Sequence, residues 1–111
     1  MIQVNEKSTV PPVSIVIISK DRHTDLLTCI KSIRVMDYPR HRYEIVVVEE
    51  ADRPVPVEDV KYIHIPRENR GFGYARNIGV KNASYELIAF TDDDCVVSEN
   101  WLRSEEHTSE L

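Results

Sequence analysis

Apolar positions in this chain fall into short blocks separated by polar, proline-bearing or glycine-bearing stretches, and the blocks follow two periods. Val13-Ser14-Ile15-Val16-Ile17-Ile18 and Tyr43-Glu44-Ile45-Val46-Val47-Val48 are β-branched and almost unbroken. Such runs are strands covered on both faces, as in a parallel sheet. Between them Leu26, Leu27, Ile30 and Ile33 recur at helical spacing. Thr24 is placed to cap that helix, and Asp37-Tyr38-Pro39 to stop it, because the residue before proline is pushed out of the helical region. Val60 to Ile65 alternates more and reads as a shorter strand nearer a sheet edge. Ala75, Ile78 and Gly79 predict a helix over 74–82, and Gly79, worth about 1 kcal/mol less than Ala in a helix, implies close packing on the sheet. Glu86-Leu87-Ile88-Ala89-Phe90 is the last strand.

Strand, long connection, strand is a right-handed βαβ unit, so the expectation is an α/β fold, a mainly parallel sheet with flanking helices. The strand ends at Ser19, Glu49 and Asp92 then gather on one edge. The 111 residues suffice for one small domain. Residues 1–11 are polar, end at a proline pair and read as a flexible lead-in, leaving 12–102 as the folded part. After Trp101-Leu102 the composition turns polar without a periodic face. Residues 103–111 resemble the in-frame translation of a sequencing-library adapter, so they are expected to be a non-native tail.

A net charge of −5 argues against non-specific nucleic-acid binding. No apolar run approaches the roughly 20 residues that cross a bilayer, and no signal-peptide pattern opens the chain. Cys29 and Cys95 are expected to be reduced, in a cytoplasmic protein. His23, His41 and His64 are scattered and read as surface or packing residues.

The informative stretch is Phe90-Thr91-Asp92-Asp93-Asp94-Cys95, three carboxylates directly after a buried strand. Open α/β sheets bind ligands at that end of their strands. Taken alone, the triplet is either a solvated turn or a cation site, since crowded, partly dehydrated carboxylates are relieved by a cation. All-oxygen donors favour Mg2+ or Mn2+ over zinc. The same edge collects Glu49 and Glu50, Lys20 and Arg22 from the loop after the first strand, and Arg76 from the helix before the Asp strand. Mixed acids and bases suit a metal-bound diphosphate: carboxylates hold the cation, which neutralises phosphate oxygens, and basic side chains take the rest. Gly71-Phe72-Gly73 could let backbone approach a ligand at a helix start, but it lacks the third glycine of a dinucleotide fingerprint.

Pro12-Val13-Ser14-Ile15-Val16-Ile17, Glu49-Glu50, Asn69-Arg70-Gly71 with Ala75-Arg76-Asn77-Ile78-Gly79, and Phe90-Thr91-Asp92-Asp93-Asp94 resemble, in that order and spacing, the nucleotide-sugar half of a family 2 glycosyltransferase. The resemblance covers nearly all of 12–102. It implies a partial GT-A (Rossmann-like) fold, truncated after the D-x-D strand, and metal-dependent transfer of a sugar from a nucleoside diphosphate sugar, a UDP-sugar for preference, with inversion. Carried over, Asp94, the second acid of the D-x-D motif, is the direct metal ligand and Asp92, the first, the ribose partner and further metal ligand, with Asp93 in the variable place between them. Glu49 and Glu50 stand where the family has two Asp, one of which reads the base; the longer side chains leave that base open. Arg76 matches a basic position of the base and phosphate pocket, and Ser19, Lys20 and Asp21 the loop against the nucleoside. The family's catalytic base lies after the D-x-D motif, so no residue here is assigned that role and the chain alone is expected to be inactive. Membrane association of the full-length protein stays open.

Two rivals share parts of this pattern. Sugar nucleotidyltransferases also set an acidic metal site on a parallel sheet, but open with a glycine-rich basic loop, and Ser19-Lys20-Asp21-Arg22 has no glycine. A receiver-like phospho-acceptor module places acids at strand ends too; acetyl phosphate labelling at an Asp would favour it, whereas protection by a nucleotide sugar would not.

Overall fold

The computed structural model describes residues 10–105. Four strands, β1 (Val13–Lys20), β2 (Tyr43–Glu50), β3 (Lys61–Ile65) and β4 (Leu87–Asp92), form one sheet in the order β3-β2-β1-β4. Every pairing is parallel. Both central strands run two residues beyond their apolar blocks: Ser19 and Lys20 stay in register with Glu49 and Glu50. A sequence pattern ends a strand where polarity begins, whereas the backbone ladder continues while a partner strand is present.

Helix α1 (His23–Arg34) packs Leu26, Cys29, Ile30 and Ile33 on the face that carries Val13, Ile15, Ile17, Ile45 and Val47. The short helix α3 (Trp101–Glu105) adds Leu102 to the same core. Helix α2 (Phe72–Lys81) lies on the opposite face, where Ala75 and Ile78 meet Val48, Ile18, Ile63 and Ile65. The expectation for Gly79 holds: a Cβ there would come within 2.6 Å of Val16 Cγ1. Only a hydrogen fits at that contact.

Thr24 does not cap α1. Arg22 holds the cap position, without a side-chain cap bond. The chain leaves β1 through Asp21 at φ +57° and enters helical geometry before Thr24. The helix ends at Arg34, ahead of the proline stop, and Tyr38 is buried with its hydroxyl donating to the Pro11 carbonyl at 2.6 Å.

At the amino ends of the strands, Glu44 accepts from Ser14 Oγ at 2.6 Å and from the Ser84 amide at 2.6 Å, with Lys61 Nζ at 3.2 Å. This clasp ties β1, β2, β3 and the turn before β4 together, opposite the acidic edge. Arg103 donates from Nε to the Asp37 carbonyl at 3.0 Å, so helical structure continues past Leu102; residues 106–111 of the expected tail lie outside the described residues. Both cysteines are free. No helix among the described residues is long and apolar enough to cross a membrane.

Candidate functional site

The sheet order has a switch point: from β1 the chain proceeds outward to β2 and β3 on one side and to β4 on the other. A crevice opens where two neighbouring strands send their connections to opposite sides, and that is the usual ligand position of such sheets. Here it lies between the ends of β1 and β4, at Ser19, Lys20 and the Asp run. The same order excludes the receiver-like arrangement, in which β3 lies beside β1.

After β4 the chain turns on itself, with the Cys95 amide donating to the Asp92 carbonyl at 3.2 Å. The turn splits the three carboxylates. Asp93 points inward, 5% exposed, and accepts from Ser19 Oγ at 2.9 Å. Asp92 and Asp94 stay exposed on the crevice side. Arg22 Nη1 donates to Asp94 Oδ2 at 3.2 Å and lies 3.6 Å from Asp93 Oδ1, which places one cationic side chain beside the run. Ile18, Lys20, Arg22, Phe72 and the three Asp line a cavity of about 340 Å³.

A second hollow of about 220 Å³ adjoins it, sharing Ile18, Lys20 and Phe72 and adding Ser19, Glu50, Asn69, Gly71 and Ala75. Alternation along β2 sends Glu49 and Glu50 to opposite faces of the sheet. Glu50 reaches this hollow, where it accepts the Asn69 amide at 3.2 Å with Lys20 Nζ 3.8 Å away. Lys20 also donates to Asn69 Oδ1 at 2.8 Å. The backbone that presents Asn69 is left-handed at Asn69 (φ +54°) and Gly71 (φ +96°), which brings the loop back over the strand ends before α2 begins. Phe72, 59% exposed, forms with Ile18 the apolar wall common to both hollows.

Three of the expected nucleotide-site residues are turned elsewhere. Glu49, 2% exposed, faces α1: His23 Nδ1 lies 2.8 Å from its Oε2 and the Tyr62 hydroxyl donates to its Oε1. Burial, and then that bond to Glu49, push the Tyr62 hydroxyl above its ordinary pKa. Asp21 forms a two-pronged pair with Arg67, which also donates from Nε to Asp52 at 2.9 Å. That guanidinium holds the Asp21 carboxyl below the usual carboxylate range. Arg76 lies across the Phe90 ring, 4.2 Å from its centroid, because α2 crosses the sheet face on which Phe90 sits. The structure therefore brings together Ser19, Lys20, Glu50, Asp92, Asp93 and Asp94 and leaves Asp21, Glu49 and Arg76 outside the lining of both hollows. Arg67 had no signal in the sequence: its two partners are 46 and 15 positions away.

The ligand atoms of Asp92, Asp94 and Cys95 all lie within 4.8 Å of one another. A divalent ion sits about 2.0–2.3 Å from oxygen or sulfur donors, so ligands on opposite sides of one ion are separated by nearly this distance. By its spacing the donor set fits a cation.

Residues 14–104 match the profile of Glycosyl transferase family 2. Glycosyltransferase AglE of Haloferax volcanii is 30% identical over 104 residues, covering 86% of this chain and 34% of that protein. Among solved structures, S. aureus TarS in complex with UDP-GlcNAc superposes with a TM-score of 0.68 at 19% identity, over 89% of this chain and 31% of that one. The mannosyltransferase PcManGT of Pyrobaculum calidifontis, in complex with GDP-Man and Mn2+, gives 0.67 at 20%, over 86% and 33%. The chain spans about a third of the length of each of these three proteins.

Proposed function

Starting from the fact that this chain belongs to glycosyl transferase family 2, we propose that it is the donor-binding part of an enzyme that transfers a sugar from a nucleoside diphosphate sugar to an acceptor, with inversion and with Mn2+ or Mg2+. The observation that supports this most is the division of the switch-point crevice into two adjoining hollows, one acidic and one beside Glu50, joined through Lys20 and Phe72. A nucleoside diphosphate has the same division: a base and ribose at one end, and a diphosphate that needs positive charge at the other.

In this reading Glu50 accepts a base N–H in the smaller hollow, such as the N3–H of uracil, and the donor is a UDP-sugar for preference. Asp92 and Asp94 hold the cation, with Asp92 on the ribose side. Lys20 and Arg22 flank the diphosphate from the β1 end. Ser19 fixes Asp93, and through it the turn, before the donor arrives. When bound, the cation supplies Lewis-acid stabilisation of charge on the departing diphosphate. Asp21, Glu49 and Arg76 keep a part in donor binding only through what they position: the Arg67 loop, the start of α1 and the Phe90 face. We assign no catalytic base, and donor binding without turnover is the activity proposed for the 111 residues by themselves. The proposed location is the cytoplasm, where free thiols such as Cys29 and Cys95 persist.

Calorimetric titration of UDP, GDP and their sugars, with and without Mn2+, tests this. The expected result is metal-dependent binding of uridine nucleotides that Asp94→Ala abolishes. Equal binding of all nucleotides irrespective of metal by a folded chain would remove the donor-site assignment.

A further inference from the structure

We propose that Arg67 is the positioning residue for the nucleoside end of the donor site, clamping three loops into the arrangement that forms the Glu50 hollow. The inference rests on the donor-binding reading above, and it concerns a side chain that lines neither hollow. Arg67 stands in the loop between β3 and α2. Its two Nη atoms donate to the two oxygens of the Asp21 carboxylate, one of them at 2.7 Å, and its Nε donates to Asp52 Oδ1 at 2.9 Å. Asp21 lies in the connection from β1 to α1 and Asp52 in that from β2 to β3. One guanidinium thus ties together the loops that leave the carboxyl ends of three neighbouring strands.

Each end of the clamp is joined to the hollow. Next to Asp21, Lys20 donates to Asn69 Oδ1 at 2.8 Å; Asn69, two positions after Arg67, gives its amide to Glu50 at 3.2 Å. Next to Asp52, the Ala51 carbonyl lies 2.7 Å from His64 Nε2, and the Ala51 amide donates to the Ile65 carbonyl at 3.3 Å. Lys20, Glu50 and Asn69 all line the hollow. Asp21 and Asn69 are both left-handed, at φ +57° and +54°, a backbone state that residues other than glycine adopt sparingly. The bonds from Arg67 and Lys20 hold both turns in it. A lone exposed ion pair adds little, but a forked pair extended to a second carboxylate is the exception, because its planar donors are already arranged for their acceptors. The clamp keeps the nucleoside end formed before the donor arrives, so binding does not bear the ordering of three loops. The Asp turn is fixed separately, by Ser19 from within β1.

The test is calorimetric titration of the 111-residue chain and its variants with UDP and, separately, with inorganic pyrophosphate, both in the presence of Mn2+. Arg67→Met should weaken UDP binding about tenfold, the effect of leaving about a tenth of the molecules with the hollow formed, while pyrophosphate binding is unchanged. Arg67→Lys should not restore UDP affinity, because one ammonium lacks the fork that spans two carboxylates. Asp21→Asn and Asp52→Asn should each weaken UDP binding, and either combined with Arg67→Met should lose less than the sum of the single changes. If the intact chain binds UDP and Asp94→Ala abolishes it, but Arg67→Met binds UDP as tightly, the inference about Arg67 fails while the donor site stands. Equal weakening of UDP and pyrophosphate would mean that Arg67 supports the fold or the charge of the whole edge, and full rescue by Arg67→Lys that charge alone matters; either overturns it. If the intact chain binds neither ligand, the donor-site reading falls and this inference with it.

Discussion

Ser19 at the end of β1 donates its hydroxyl to Asp93 across 74 positions of sequence, 2.9 Å apart and in the protein interior. The bond decides which of three consecutive carboxylates faces the crevice. Ser19→Ala leaves a buried carboxylate oxygen without its donor, at a cost of about 1–3 kcal/mol. Chemical denaturation should show that loss, and Mn2+ binding should weaken with it because the turn is no longer anchored. Unchanged values of both would mean that Arg22 alone orients Asp93.

Glu49 and Glu50 are adjacent, yet their substitutions should separate cleanly. Glu49→Gln disturbs an inward acceptor of His23 and Tyr62 and should lower stability by about 1–3 kcal/mol. Glu50→Gln should leave unfolding nearly unchanged and weaken nucleotide binding instead. Measuring both properties on both variants tests the division; a matching pattern in the two would refute it.

In the proposed donor site Arg22, paired with Asp94 at 3.2 Å, would compete with the cation for that carboxylate. Exposed ion pairs of this kind are worth about 0.2–1 kcal/mol, so Arg22→Met should tighten Mn2+ binding in the absence of nucleotide by up to about fivefold. With a diphosphate present the sign should reverse, since the same guanidinium then faces phosphate. Weaker Mn2+ binding without nucleotide would contradict the competition.

Gly79→Ala sets two effects against each other. Alanine favours the helix by about 1 kcal/mol, but its methyl would overlap Val16 Cγ1 at 2.6 Å, and Val16 is fully buried and cannot swing aside. Overpacking of this kind costs about 1–3 kcal/mol. A net loss is expected, relieved in the Gly79→Ala, Val16→Ala double variant relative to the sum of the single changes, and a double-mutant cycle measures it.

Burial pushes the Glu44 carboxyl up, but the bonds from Ser14, Ser84 and Lys61 outweigh it and hold it below its ordinary value. A depressed folded pKa stabilises the protein above the unfolded value, about 4.3 for Glu. That stability is lost as pH falls through the folded one. Thermal melts should therefore fall on the acid side below about pH 4.3, and Glu44→Gln should flatten this limb while lowering the melting temperature at neutral pH.

How much of this was legible beforehand differs from residue to residue. The β-branched runs beginning at Val13 and Tyr43 and the spacing of Leu26, Ile30 and Ile33 determined strand and helix, because burial on both faces or on one stripe demands those patterns. The parallel arrangement followed from the lengths of the connections, and Gly79 disclosed a tight contact because nothing else explains glycine in a helix. The Asp run after β4 pointed to the candidate ligand edge, since open α/β sheets bind ligands at the carboxyl ends of their strands.

Only the tertiary structure decided what each polar residue does there. Sequence gives adjacency along the chain, whereas side-chain direction depends on register and on partners tens of residues away. Glu49 and Glu50 look equivalent until alternation in β2 points one at His23 and the other at Asn69. Asp21 and Arg76 carry the right charge for the crevice, but Arg67 and the Phe90 ring claim them first. Ser19 reads as a loop residue, and its role appears only when parallel pairing of β1 with β4 brings Asp93 beside it.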